Sequence, residues 1–347
     1  MNLEKSKFEL IEINKALSKN KFHKLKSKYF LEKIILNIEK NKFLDIIKYN
    51  KSIQKRLNLT INDYKDCCEK FSSIEIEIIS SQNLLGKYIN IPEDKGTHYH
   101  LYFNNNNKET KIKNLIKIDK NKYNKIKIII DYQIDSLCDL FNGCDTIEYI
   151  SFKKFHRNNI KDMSYMFSNC YSLKEINFSQ INTINVVNMD FMFYGCESLK
   201  ELNLSNFNTN NLKYMKNMFS QCHSLKKINL SNFNTSNVII MSYMFSNCYS
   251  LEEINLNNFI TNNVINMNSM FSKCSLLKEI DISNFTFNNE VDMGLMFYKC
   301  ESLEKINLPN FNDNNFSKMK HMFLECSYEL KNKIKNINDN IVEEAFD

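Results

Sequence analysis

From residue 137 onward the apolar positions repeat. Met215, Met218, Phe219 and Cys222 stand at i, i+3, i+4 and i+7, the spacing of one face of two helical turns. Leu225, Ile228, Leu230 and Phe233 follow as LxxIxLxxF, and Ile228 and Leu230 alternate around Asn229 as in a short strand with one buried side. The polar run Asn234-Thr235-Ser236-Asn237 turns the chain, and Val238 and Met241 open the next unit. Each unit is therefore expected to hold a helical turn, a strand and a return.

The period is 26 residues. Cys144, Cys170, Cys196, Cys222, Cys248, Cys274, Cys300 and Cys326 keep it without a break. Apart from Met1, all fourteen methionines fall on two phases of it, from Met163 and Met166 to Met319 and Met322, and a phenylalanine follows the second each time. A fixed period of this length means stacked units, none of which buries its apolar edge alone. The expected architecture is an α/β solenoid whose strands align as a parallel sheet. Residues 137–155 form a degenerate first unit, with Leu140-Phe141 in place of Met-Phe. Pro309 and Glu290 mark irregular late units, and the segment after Cys326 reads as a helical C-terminal cap or tail over 327–347.

The stretches SLKELNLSNFNTNN (198–211), SLKKINLSNFNTSNV (224–238) and MSYMFSNCYSLEEINL (241–256) resemble the BspA-like leucine-rich-repeat family, including the related repeats of mycoplasma surface proteins. The resemblance covers 137–326 and implies a right-handed leucine-rich-repeat solenoid used for protein or surface recognition. The chain departs from ordinary leucine-rich repeats at the ninth strand-region position, where Phe207, Phe233, Phe259, Phe285 and Phe311 replace asparagine. A phenylalanine spine is expected there instead of an asparagine ladder.

Ahead of the repeats, residues 1–72 read as a helical head. Phe30, Leu31, Ile34, Ile35 and Ile38 follow the helical period, and residues 28–57 resemble an F-box. That resemblance implies a docking site for a Skp-type linker of a ubiquitin ligase. Residues 73–136 change period: IEIEIIS (74–80) alternates strictly, and KYINI, HYHLYF and KIKIII read as further strands. They form a β-rich module or an N-terminal cap on the first repeat.

Composition narrows the function. Five glycines and two prolines in 347 residues leave no clustered glycines for a phosphate-cradling loop, so a dinucleotide or Walker-type site is excluded. Asparagine is unusually abundant at 55, and lysine outnumbers arginine 44 to 2. With the many isoleucines this points to AT-rich coding, which discounts asparagine and lysine wherever they face solvent. The net charge is +6, concentrated in the head, where residues 1–70 hold 17 Lys and Arg against 9 Asp and Glu. Lysine without arginine suits neither bidentate phosphate nor base reading, so no nucleic-acid partner is expected. The N-terminus lacks the apolar run of a signal peptide, and no stretch approaches the length of a membrane span. A cytoplasmic address is expected, with the cell surface left open.

The candidate chemistry is sparse. The periodic cysteines lack the paired CxxC spacing of a zinc site and read as small buried hydrophobes. Cys67-Cys68 reads as helix packing. His98-Tyr99-His100 places two imidazoles on one strand face without an evident third ligand. No nucleophile elbow or HExxH motif occurs, so neither an enzyme nor a cofactor is expected.

What remains is a surface. The outward column of the strands reads Glu175 and Asn177, Glu201 and Asn203, Lys227 and Asn229, Glu253 and Asn255, Glu279 and Asp281, Lys305 and Asn307. This concave face is the candidate site for a protein partner. Asn177, Asn203 and Asn229 also begin N-x-S glycosylation sequons, which in a secretory lumen would place glycans over it. Three roles follow: a noncatalytic interaction scaffold, a ubiquitin-ligase substrate adaptor, or a surface adhesin.

Overall fold

The computed structural model describes residues 55, 72–80, 87–104, 125–131, 134–287, 291–309, 311, 318–337, 341 and 343–347. Apart from Lys55 and Ser72, the helical head with its F-box-like segment 28–57 lies outside the described residues, as do Cys67-Cys68 and Glu290. The chain divides into two compact units, Met1–Phe71 and Ser72–Asp347.

The second unit begins with β1 (Ile74–Ser80), β2 (Tyr99–Phe103), β3 (Lys125–Ile130) and β4 (Ile147–Lys154). With β5 (Glu175–Asn177) they form one sheet in the order β2-β3-β1-β4-β5. Strict alternation in β1 puts Ile74, Ile76 and Ile78 in the core. Its outward Glu75 and Glu77 pair with Lys127 and Lys125 of β3, at 3.0 and 2.8 Å. Antiparallel pairing ends at β4, which meets β5 in parallel, Ile150 against Ile176. The β-rich segment and the first repeats thus share a sheet.

Beyond it the chain coils. Parallel bridges join Ser136 to Asp162, then Asn188, Tyr214, Ile240, Asn266 and Asp292, each 26 residues on. We number the coils from Leu137, so that Met163, Met189, Met215, Met241, Met267, Met293 and Met319 begin coils two to eight.

The apolar quartet of each coil is buried as expected, with Met215, Met218, Phe219 and Cys222 all fully covered. Its backbone, however, is no helix. The amides of Met218, Ser220 and Cys222 bond back three residues, to Met215, Asn217 and Phe219. Those of Met215, Asn217, Phe219 and Gln221 instead donate 25 residues on, to Ile240 at the junction and to Ser242, Met244 and Ser246 of the next coil. Alternate amides aim outward because Asn217 and Gln221 take positive φ, 53° and 61°. Two such residues recur in every coil, and glycine fills the position only at Gly143 and Gly195, both at φ 69°. A left-handed non-glycine residue costs about 1–2 kcal/mol. The intercoil bonds that this geometry alone directs across the junction offset that cost, each contributing about 1 kcal/mol net. The helical reading failed because period identifies the inward residues, whereas a helix would spend every amide inside its own coil. The result is a staircase of turns.

The strand side is less continuous than expected. Parallel pairs form as β4-β5, as β6 (Glu201–Asn203) with β7 (Lys227–Asn229), and as β8 (Glu279–Asp281) with β9 (Lys305–Asn307). Residues 253–255 of coil five stand in no strand. The staircase carries the continuous backbone ladder, so the short strands need not pair at every junction.

The long ring stack also runs through a different column from the one expected. Phe141, Phe167, Phe193, Phe219, Phe245, Phe271, Phe297 and Phe323 stack in turn with centroids 5.2–5.7 Å apart. In the strand-region column only Phe207 and Phe233 stack, at 6.5 Å. The Met-Phe rings sit on the staircase, where hydrogen bonds hold the coil spacing.

Both ends of the staircase are closed by imitation. At the first coil, the Asn90 amide donates to the Leu140 carbonyl, and Asn90 Nδ2 donates to the carbonyls of Asp139 and Asn142. At the last, helix α1 (Tyr328–Ile337) leads to residues 343–347. There Glu344 and Ala345 accept the amides of His321 and Phe323, and the Phe346 ring continues the stack 5.6 Å from Phe323.

Candidate partner-binding face

The strand segments end in the same small device. Oδ1 of Asn177, Asn203, Asn229, Asn255 and Asp281 accepts the amide of the residue two further on, at 2.9–3.0 Å. This Asx turn bends the chain out of the strand. These side chains belong to the expected binding column, and half of each is committed to shaping its own coil. The remaining amide nitrogen of each asparagine is fixed in direction.

The structure brings the predicted residues onto one face. Glu201 lies beside Lys227 and Asn203 beside Asn229, and Glu279 and Asp281 lie beside Lys305 and Asn307. All twelve predicted residues are exposed except Asp281, which is half-buried. Lys305 Nζ is 3.5 Å from Glu279, and Asn307 Nδ2 donates to Asp281 at 2.8 Å. Hydrogen bonds from the Ser283 hydroxyl, Asn307 and the Ser283 amide hold the Asp281 carboxyl below its ordinary range. A groove of about 410 Å³ opens over coils four to seven, lined by Lys227, Glu253, Asn255, Glu279, Asp281 and Lys305, with Ile254 at its floor. Glu175, Asn177, Glu201 and Asn203 lie on coils two and three, outside the groove.

Three other columns, one of threonine and two of asparagine, have roles that are not visible in the sequence pattern alone. Thr209, Thr235 and Thr261 each donate to the carbonyl 25 residues on and accept the amide of that same residue, as Thr235 does with Ile260. Asn211, Asn237 and Asn263 donate to carbonyls of the preceding coil at 2.7–2.8 Å, and Asn258 and Asn284 do so from a second column. Asparagine ladders therefore exist, in columns other than the ninth position, and the coding-bias discount fails for them. The periodic cysteines are buried as expected, and they also hydrogen-bond from coil to coil. Sγ of Cys222 donates to the Phe193 carbonyl at 3.1 Å, and the same contact recurs from Cys170 to Cys326. A phenylalanine carbonyl has two lone pairs. One takes the cysteine amide of its own coil, and the other takes the thiol of the next.

His98 and His100 both meet Asp131, at 3.2 and 3.1 Å. Among the described residues no group of three or more His, Cys, Asp or Glu is placed to hold a metal ion. Among them, too, no helix is long and apolar enough to cross a membrane.

With the ladders and the face in view, comparison with known proteins places the chain. A family model described as mycoplasma protein of unknown function, DUF285, matches residues 135–253 and 250–345, together more than half of the sequence. The chain belongs to this family. The mycoplasma-type repeat read from 198–256 is borne out at that level. Two solved structures are similar. The leucine-rich repeat protein of T. pallidum is 17% identical over 55% of this chain and 89% of its own, with a TM-score of 0.31. A leucine-rich cell surface protein from Faecalibacterium prausnitzii is 14% identical over 55% of this chain and 86% of its own, with a TM-score of 0.22. No curated protein matches significantly.

Proposed function

We propose that the chain is a noncatalytic scaffold that binds a protein partner through the strand face of a right-handed leucine-rich-repeat solenoid. Residues 73–136 serve as its N-terminal cap, 137–326 as the array and 327–347 as its C-terminal cap. The closure of both staircase ends by Asn90 and by residues 343–347 supports that division.

The observation that carries the reading is the groove over coils four to seven, with its exposed charged rim. A rigid array that presents side chains in fixed rows suits recognition, and the described residues offer no converging nucleophile, base and oxyanion site. The mixed signs of Glu201, Lys227, Glu253 and Lys305 suit a partner of mixed charge.

The test is affinity purification of the full-length chain beside a Glu201→Ala, Lys227→Ala, Glu253→Ala variant, with identification of what co-purifies. These three changes leave every Asx turn intact, so the fold is expected to persist. Partners lost with the variant support the strand face. Partners kept in full would remove it as the binding surface.

A further inference from the structure

Two sides of each coil are tied to the next. On the staircase, four amides of every coil up to the seventh bond 25 residues on, at or across the junction, as Met241, Tyr243, Phe245 and Asn247 do to Asn266, Asn268, Met270 and Ser272. On the return side, Asn258 bonds the carbonyls of Leu230 and Phe233, and Thr235 bonds Ile260. The strand side is tied only in places. Ser198, Ser224 and Ser302 donate across it to Tyr171, Glu197 and Ser275. Coil five has no such tie, and no backbone bond joins residues 249–256 to coil four or coil six.

The groove lies over this segment, with Ile254, its inward residue, partly buried at the floor. Leu251 and Leu256 are buried anchors on either side. We infer that Glu252–Asn255 is a movable strap across the floor of the groove, held at both ends and free between them. Its movement widens and narrows the groove while the staircase holds the coils in register. The cause is local: four residues lacking ladder bonds on both edges are restrained by side-chain contacts, such as the exposed ion pair of Glu252 with Lys226. If the strand face binds a partner as proposed above, the strap adapts the groove to it. The movement itself belongs to the free protein.

The test uses the full chain without partner. Amides of residues 252–255 should exchange with deuterium about a hundredfold faster than those of Phe245 and Asn247. Spin labels carried on azide-bearing residues leave the native cysteines untouched. A pair at positions 227 and 253 should give a broader distance distribution than a pair at 201 and 227, which straddles the bonded β6-β7. Equal widths would overturn the strap even if exchange were fast, because fast exchange alone shows only unpaired amides. A partner that proved to bind elsewhere would sink the strand-face reading and leave the difference in widths standing.

Discussion

At the residue scale, the least conspicuous side chains hold the coils together. Thr235 is fully buried and spends its hydroxyl twice on Ile260, accepting the amide at 2.7 Å and donating to the carbonyl at 2.8 Å. Thr235→Val keeps the shape and takes the side-chain partner from the part-buried amide and carbonyl of Ile260. The expected loss is about 1–3 kcal/mol for such a group, visible as a lower denaturant midpoint with an unchanged slope. Lys226→Ala, which removes only an exposed ion pair with Glu252 at 3.6 Å, should shift the midpoint by much less. Equal effects would mean that the threonine column is incidental. Gly195 makes a second case. A Cβ there would sit 2.9 Å from Asn169 Oδ1 on a backbone at φ 69°, so Gly195→Ala should destabilise although it adds one carbon. These roles were hard to read from composition. Fifty-five asparagines invite a base-composition account, but bias does not keep phase. Asn211, Asn237 and Asn263 recur at 26 residues, and that phase was the available signal.

At the scale of the element, the inward set was legible and the backbone was not. Spacings of three, four and seven follow from any path that turns the chain back on itself, so Met215, Met218, Phe219 and Cys222 fit a helix and the staircase equally well. What separates them is positive φ at Asn217 and Gln221, which asparagine tolerates but glutamine does not announce. The strand column was legible because alternation over LxxIxL has one outward solution. Its break at coil five was not, since Glu253-Ile254-Asn255 reads like Lys227-Ile228-Asn229. The ring stack supplies the test at this scale. Phe219 sits between Phe193 and Phe245 at 5.5 and 5.2 Å, fully buried. Phe219→Ala should cost about 3–5 kcal/mol, by calorimetry or denaturant titration. Deleting residues 343–347 should also destabilise, because it strips Phe323 of its outer ring and uncaps the amides of His321 and Phe323. A deletion with the parent's midpoint would show that the imitation of a ninth coil contributes nothing.

At the scale of the whole molecule, the thiol column makes the array sensitive to alkali. Burial raises Cys144 and Cys222 to about 12 and Cys326 to about 11, from an ordinary value near 9, and pushes Cys170, Cys196, Cys248, Cys274 and Cys300 well up. The folded state keeps these protons where the unfolded chain gives them up. Their contribution to stability is therefore whole below about pH 9 and is lost as pH climbs from there toward the folded values. Each thiol removes about 1.4 kcal/mol per pH unit in that window, and the losses add because all eight lie in one cooperative stack. Stability measured by denaturant titration should be flat from pH 7 to about 8.5 and fall steeply above 9. A Cys222→Ala, Cys248→Ala variant should start less stable and fall with a shallower slope, by two thiols' share. Tyrosine ionisation, followed by absorbance in the same samples, separates its contribution. The array explains why the buried thiols persist together. From Cys170 to Cys326 each donates to a carbonyl that the staircase leaves half-satisfied, so replacing one costs a contact in two coils, and a parallel decline of parent and variant above pH 9 would show that the thiols do not set the alkaline limit.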